Sequence, residues 1–304
     1  MANTFAPVGF SQYKGTGSAP TFEQIAFPVK STNTTPIFFG DPLVFATNAT
    51  SGLSTGYVTQ APMGPQSLAI SGFALANGLV TATFTSTTAP PVGSFLVLNG
   101  MTTATTLNGA WQIVSSTTTT AVFPYPGGAL STQSTTGYVF TPVVGIFVGC
   151  TYLSTAFKRT TWSNYAPGQD YNSDVTAYVV NDPNAQFIIQ TGNSNTTSTA
   201  LGVSSIGSNI GINYLLNGGS QSNGNTNNGL STVFADQYTL QGNYPTGAYG
   251  QQFMPFKING LANYGIGVGN GIPSTINGND INSAYNNVIV SFNNAMLKNN
   301  VPNA

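Results

Sequence analysis

The sequence predicts an all-β protein: a β-sandwich or barrel-like host domain carrying an inserted small β-domain and long irregular loops. Three observations lead there. Gly (35 residues) and Pro (18) punctuate the 304-residue chain every few positions, so no apolar-periodic run lasts long enough for a stable helix. The runs between them are short and rich in β-branched and aromatic residues, with 14 Tyr and 19 Phe, which suit a pleated, half-buried surface. Asn-Gly steps, which accept positive φ at both turn positions, mark hairpins.

Taken in order, the first host segment offers strands over 23–28, 43–47 and 56–59. A boundary follows at Ala61-Pro62-Met63-Gly64-Pro65. The next stretch alternates on its own: 80–85 after Ala76-Asn77-Gly78, then 94–98 closed by Asn99-Gly100, then 110–115 and 121–124. A second boundary lies near Pro126-Gly127-Gly128 to Thr136. The segment 66–126 therefore reads as an inserted module projecting outward, and 1–65 plus 127–304 as the host. Similar flanks, Gly56-Tyr57-Val58 and Gly137-Tyr138-Val139, suit two neighbouring strands of one host sheet. Further strands are expected over 137–141, 144–152, 175–180, 186–190, 232–235, 252–258 and 287–292, the last tying the C-terminal region into a sheet. Two stretches rich in Asn and Gly, 192–230 and 264–280, read as extended loops or arms ordered by contact with a neighbour.

Charge is the most unusual feature. The chain has six Lys and Arg, seven Asp and Glu and no His, with a net charge of −1. No charged side chain lies between Asp41 and Lys158, or between Asp182 and Asp236. A soluble monomer usually carries about a quarter of its residues as charged ones; here they are 4%. Such a surface repels its neighbours weakly and suits close, hydrogen-bonded contact in an assembly. No general attraction to nucleic acid or anionic lipid is expected.

The same inventory removes much chemistry. Without His there is no Ser/His/Asp or Cys/His catalysis. One cysteine, Cys150, cannot form an internal disulfide or a zinc cluster; within Val143–Cys150 it reads as a buried structural thiol. Gly265 to Gly271 lacks the strand-then-helix context of a dinucleotide site. Asn279-Asp280-Asn282 lacks the acid density of a calcium loop. Two acid pairs, Asp170 with Asp174 and Asp236 with Asp280, are candidates for glycoside hydrolysis, which needs one raised and one ordinary carboxyl pKa. Turn chemistry explains these acids better, so no enzyme, cofactor or metal site is expected. Trp111 reads as module core. The N-terminal residues lack a basic and apolar leader pattern, and no apolar run reaches the ~18 residues of a membrane span.

Two parts of the sequence resemble tailed-phage structural proteins. Gly145-Ile146-Phe147-Val148-Gly149-Cys150-Thr151-Tyr152, Trp162-Ser163-Asn164-Tyr165, Asp174 to Pro183 and Ala185 to Gln190 follow in an order similar to the core of head decoration or minor capsid proteins. Gly78 to Thr83, Gly93 to Gly100, Leu107 to Trp111 and Thr120 to Phe123 resemble small β-modules of phage virion surface proteins. Those modules often carry a His-Gly turn, where this chain has Pro90-Pro91. The resemblance implies a decoration (cement) protein on the outer capsid surface, made in the host cytoplasm. It also implies the major capsid protein as partner, a dimeric or trimeric homo-oligomer, and no nucleic-acid or membrane partner. The alternative is a tail fibre, tailspike or adhesin component binding host-surface glycans. Lys158, Arg159, Trp162, Tyr165 and Phe187 are the candidate interface, because aromatics and Arg anchor interfaces; the competing reading is a solvated or ion-paired loop at Lys158-Arg159 and a plain hydrophobic corner at Trp162.

Overall fold

The computed structural model describes residues 3–14, 24–131, 133–219, 223–240, 250–262, 280 and 282–296. The architecture is all-β, built from three main sheets and one short hairpin.

The first host sheet has the order β2-β14-β12-β3-β4. Its strands are β2 (Ile25–Val29), β3 (Pro42–Thr47), β4 (Ser54–Gln60), β12 (Gly145–Leu153) and β14 (Val175–Val180). A short edge strand, β13 (Thr160–Ser163), pairs with the far half of β12. The chain leaves this sheet after β4 and returns at β12, beside β3, where Val144 N–H donates to the Leu43 carbonyl at 2.7 Å. An excursion between two near neighbours is what an insertion requires.

The second host sheet holds β1 (Ser11–Lys14), β15 (Gln186–Gly192), β16 (Asn209–Asn213), β19 (Phe234–Asp236), β20 (Phe256–Leu261) and β21 (Asn287–Phe292). Its pairings close a ring from β15 through β19, β16, β20 and β21 back to β15, with β1 added along β15. Inside this barrel Phe10, Phe187, Phe256 and Phe292 pack ring against ring, the closest pair being Phe10 and Phe256 at 4.3 Å. Val44, Ile146 and Val180 of the first sheet join the same buried cluster, so the two host sheets share a core.

The inserted sheet runs β8-β7-β11-β5-β6-β10-β9. It comprises β5 (Gln66–Ala76), β6 (Leu79–Phe84), β7 (Phe95–Leu98), β8 (Gly109–Gln112), β9 (Ser115–Ser116), β10 (Thr120–Pro124) and β11 (Thr135–Phe140). Its two edges, β8 and β9, are consecutive in the chain, and Val114 N–H between them donates to Val122 at 2.9 Å. The sheet therefore curls into a small barrel. Alternation explains its core: Val80, Ala82 and Phe84 of β6 point inward. On β5 the inward set is Leu68, Ile70 and Phe73, the phase being reset by a register shift between Ile70 and Gly72. Trp111 stacks on Phe123 at 5.5 Å, and its indole N–H donates to the Leu107 carbonyl at 2.9 Å.

Two sequence expectations change. The inserted unit extends beyond 126: β11 lies between β5 and β7 and not beside β4 in the host sheet. Val139 is buried in the module core, and Gly137 sits against Ile70, Leu96 and Leu98. The segment 192–230 is also more than a loop, since it supplies β16 and the hairpin of β17 (Gly224–Asn225) and β18 (Leu230–Ser231). Its Asn side chains do the turning: Asn193, Asn213, Asn225 and Asn228 each accept a backbone N–H two residues on. Of the second arm, 264–280, only Asp280 falls among the described residues.

The module is fastened to the host at two places. Ala89 and Val92 N–H donate to Ala49 and Gly52 of the β3–β4 turn at 2.7 and 2.9 Å, and Ser116 Oγ donates to Ser51 and Pro90 carbonyls. Elsewhere Val97 and Phe140 of the module bury Met254, with the Phe95 and Phe253 rings packed at 4.5 Å, tilted by 32°.

Candidate interaction surface

Two large apolar side chains stand furthest into solvent. Phe157 is 66% exposed and Trp162 is 63% exposed, and the exposed cations Lys158 and Arg159 lie between them in sequence. Local chemistry holds this tip rigid. β12 ends at Leu153, and the chain reverses through Ser154–Arg159, with Ser154 N–H donating to Arg159 and Lys158 N–H to Ser154, each at 3.0 Å. Lys158 turns the corner at φ +54°.

Asp170, itself at φ +71°, braces the turn from outside. Its carboxylate accepts Ser154 Oγ at 2.5 Å, Thr155 Oγ1, and Ala156 N–H at 2.7 Å. These bonds, the one from Ser154 foremost, hold its pKa down at about 2. The Arg159 guanidinium lies 5.8 Å from the Phe157 ring centroid, a cation–π contact.

Trp162 is placed by a glycine. β12 carries a register shift between Phe147 and Gly149, and Gly149 has φ +147°. A Cβ there would lie 3.1 Å from the Trp162 ring, so a larger residue would crowd the indole as well as strain the backbone. β13 pairs with β12 alone among the described strands, so its other edge is open beside the tip.

The five predicted interface residues divide. Lys158, Arg159 and Trp162 are all exposed, the two cations in the turn before β13 and Trp162 on β13 itself. Tyr165 is half-buried, stacked on Phe38 at 5.7 Å. Phe187 is a correction: at 1% exposure it fills the second host barrel, packed on Phe10 and Phe292, and cannot meet a partner. Phe157 was not singled out from the sequence; its signal was an aromatic directly preceding two cations.

The acid pairs do not assemble as the glycosidase pattern needs. Asp174 accepts Ser31 N–H at 2.9 Å and Tyr57 OH at 2.8 Å, while Asp170 braces the tip. Both carboxyls are held below their usual range, Asp174 chiefly by the Ser31 N–H, whereas a general acid requires a raised value. Asp236 is raised by burial, but it is enclosed and takes Ser194 N–H, Ser194 Oγ and Tyr238 N–H. Asp280 organises Asn3 and Asn282 instead. Cys150 is buried with its thiol pushed up to about 12 by desolvation, and it donates weakly to the Tyr165 carbonyl. Among the described residues no three His, Cys, Asp or Glu cluster as a metal site would need, and no helix is long and apolar enough to cross a membrane. The glycine run 265–271 lies outside the described residues.

One buried acid escaped the sequence reading. Asp41 is wholly inaccessible and joins both host sheets: it accepts Phe38 N–H at 2.8 Å, Gln60 Nε2 at 2.7 Å and Tyr214 OH at 3.4 Å. Burial outweighs these bonds and raises its pKa to about 7.

Comparison of the chain with protein-family models, with curated proteins and with solved structures finds no match.

Proposed function

We propose that this chain is a structural virion protein, a decoration or cement protein that binds the major capsid protein lattice and stabilises the mature head. The observation that carries the reading is the braced tip of Phe157, Lys158, Arg159 and Trp162, set on a chain otherwise almost free of charge. Rigid aromatics beside Arg make an interface anchor, since little side-chain freedom is lost on contact. The surrounding Thr-, Ser- and Asn-rich surface lies against a neighbour without the cost of desolvating ions. Binding to a surface present only in the expanded shell stabilises that state by mass action. In this role the protein acts as a homo-oligomer on the outer capsid surface, without cofactor, catalysis, nucleic acid or membrane.

Co-sedimentation of the purified chain with expanded and unexpanded shells tests the reading. Saturable binding to expanded shells, lost in a Trp162→Ala/Arg159→Glu double variant, is the expected result. Failure to bind either form, together with binding to host-surface glycans, would favour a tail fibre or adhesin role.

A further inference from the structure

Asn-Gly steps recur in this chain, and their side chains meet different fates. Asn108 is locked, its Oδ1 accepting Met101 N–H at 2.9 Å and its Nδ2 donating to the Met101 carbonyl at 3.0 Å. Asn223 Nδ2 is held by Gln60 at 2.8 Å. At Asn228 the side-chain oxygen takes Leu230 N–H, and the following Gly229 N–H is occupied by the Asn225 carbonyl at 2.7 Å. Asn77, at φ +53° in the β5–β6 turn, makes no described bond to the Gly78 amide.

Asn99 differs from all of these. The backbone N–H of Gly100 points at the Asn99 Oδ1 at 2.9 Å. The carbon bearing that oxygen is one bond away, so a rotation about Cβ–Cγ that breaks this hydrogen bond can bring it to the ~3–3.5 Å separation of an attack-ready pair. Gly100 is exposed, and nothing lies within 4 Å of where a Cβ would stand. Asn213 shows the same contact to Tyr214 N–H at 2.8 Å. There the next residue is a buried Tyr, and Asn213 Oδ1 is shared with Leu215 N–H.

We propose that Asn99 is a site of spontaneous deamidation, which introduces a carboxylate into a module that has no charged side chain. The Gly100 nitrogen loses its proton to solvent and attacks Asn99 Cγ, forming a C–N bond. The side-chain amide nitrogen takes up a proton and leaves as ammonia, giving a cyclic imide. Water then adds to either imide carbonyl and breaks one C–N bond. The product is aspartate or isoaspartate; one water is consumed and one ammonia released, with no redox change. Because the attacking nitrogen must lose its proton, the rate rises with pH. The isoaspartate product also lengthens the backbone at the end of β7, next to the Met101–Asn108 clasp. The modification thus marks the age of the module in charge and in shape.

Peptide-mapping mass spectrometry after timed incubation of the full chain tests this. In native protein, Asn99 is expected to convert first among the described Asn-Gly steps, several-fold ahead of Asn77, Asn108, Asn217, Asn223, Asn228 and Asn259, and faster at alkaline than at neutral pH. In denaturant that lead should vanish, since the folded contact is gone. The Asn99→Gln variant should not develop the first acidic species that wild type shows on isoelectric focusing. Persistence of the Asn99 amide while another of these steps converts, or a lead that survives denaturant, would overturn the assignment.

Discussion

At the scale of single residues, scarcity of charge makes each acid count. With no His in the chain, the pH range from about 4 to 7 is governed by its buried carboxyls. Asp41 has a folded pKa of about 7 against 3.8 when free. Its folded state therefore binds the proton more tightly, and stability falls as pH rises through that window. The loss is at most about 4 kcal/mol, since each unit is worth about 1.4. Asp236 acts in the same direction. Asp170 and Asp174 act oppositely, adding stability that disappears as pH drops below the free carboxyl value. Stability is thus expected to peak near pH 4. Urea unfolding at pH 4.5 and pH 8 checks this: Asp41→Asn, which keeps an acceptor for Phe38 N–H, should flatten most of the wild-type decline. An unchanged slope would mean Asp41 is not its source. None of this was legible in the sequence, where Asp41 marks only the start of a long charge-free run.

At the scale of elements, the tip and the module attachment make separate predictions. Phe157 and Trp162 are so exposed that Phe157→Ala and Trp162→Ala should change unfolding free energy by no more than about 0.5 kcal/mol, yet weaken shell binding by about 2 kcal/mol or more each. Parallel unfolding and binding titrations separate the two. Gly52 does the reverse. It sits at φ +65° where the β3–β4 turn meets the module, and a Cβ would fall 2.1 Å from the Pro90 carbonyl oxygen. Gly52→Ala should cost about 1–3 kcal/mol through strain and displaced contacts, with faster proteolysis near 86–92. Retention of wild-type stability would show that the turn moves freely. Strand periodicity was readable wherever alternation was clean, as in β6 and β21. It found β11 as a strand but not its sheet: Gly56-Tyr57-Val58 and Gly137-Tyr138-Val139 look alike, and only long-range packing assigns one to the host and the other to the module. The tip was half legible, because composition singled out Lys158, Arg159 and Trp162. Nothing local distinguished exposed Phe157 from buried Phe187, whose fate is set by strands far away in the chain.

At the scale of the whole molecule, the two host sheets share a core, the module keeps its own, and two host–module fastenings join them, with one Cys and therefore no internal disulfide. The second host barrel supplies much of that cohesion. Phe187→Ala, which opens the stack of Phe10, Phe256 and Phe292, should lose about 3–5 kcal/mol by thermal or chemical unfolding. A much smaller loss would mean the barrel repacks. The all-β class was legible from punctuation and composition; the extent of the inserted sheet was not, since β11 belongs to it. Closure of the barrels was not, because it depends on pairings such as β15 with β19 and β21 that span long sequence separations. Among the described residues the outward surface is poor in charge, and Phe157 and Trp162 are its most exposed large apolar side chains. The most direct test of the proposed decoration role is the copy number of this chain per purified virion, by quantitative mass spectrometry normalised to the major capsid protein. The account predicts a number in fixed proportion to the capsomers; a handful of copies per particle, or none, would contradict it.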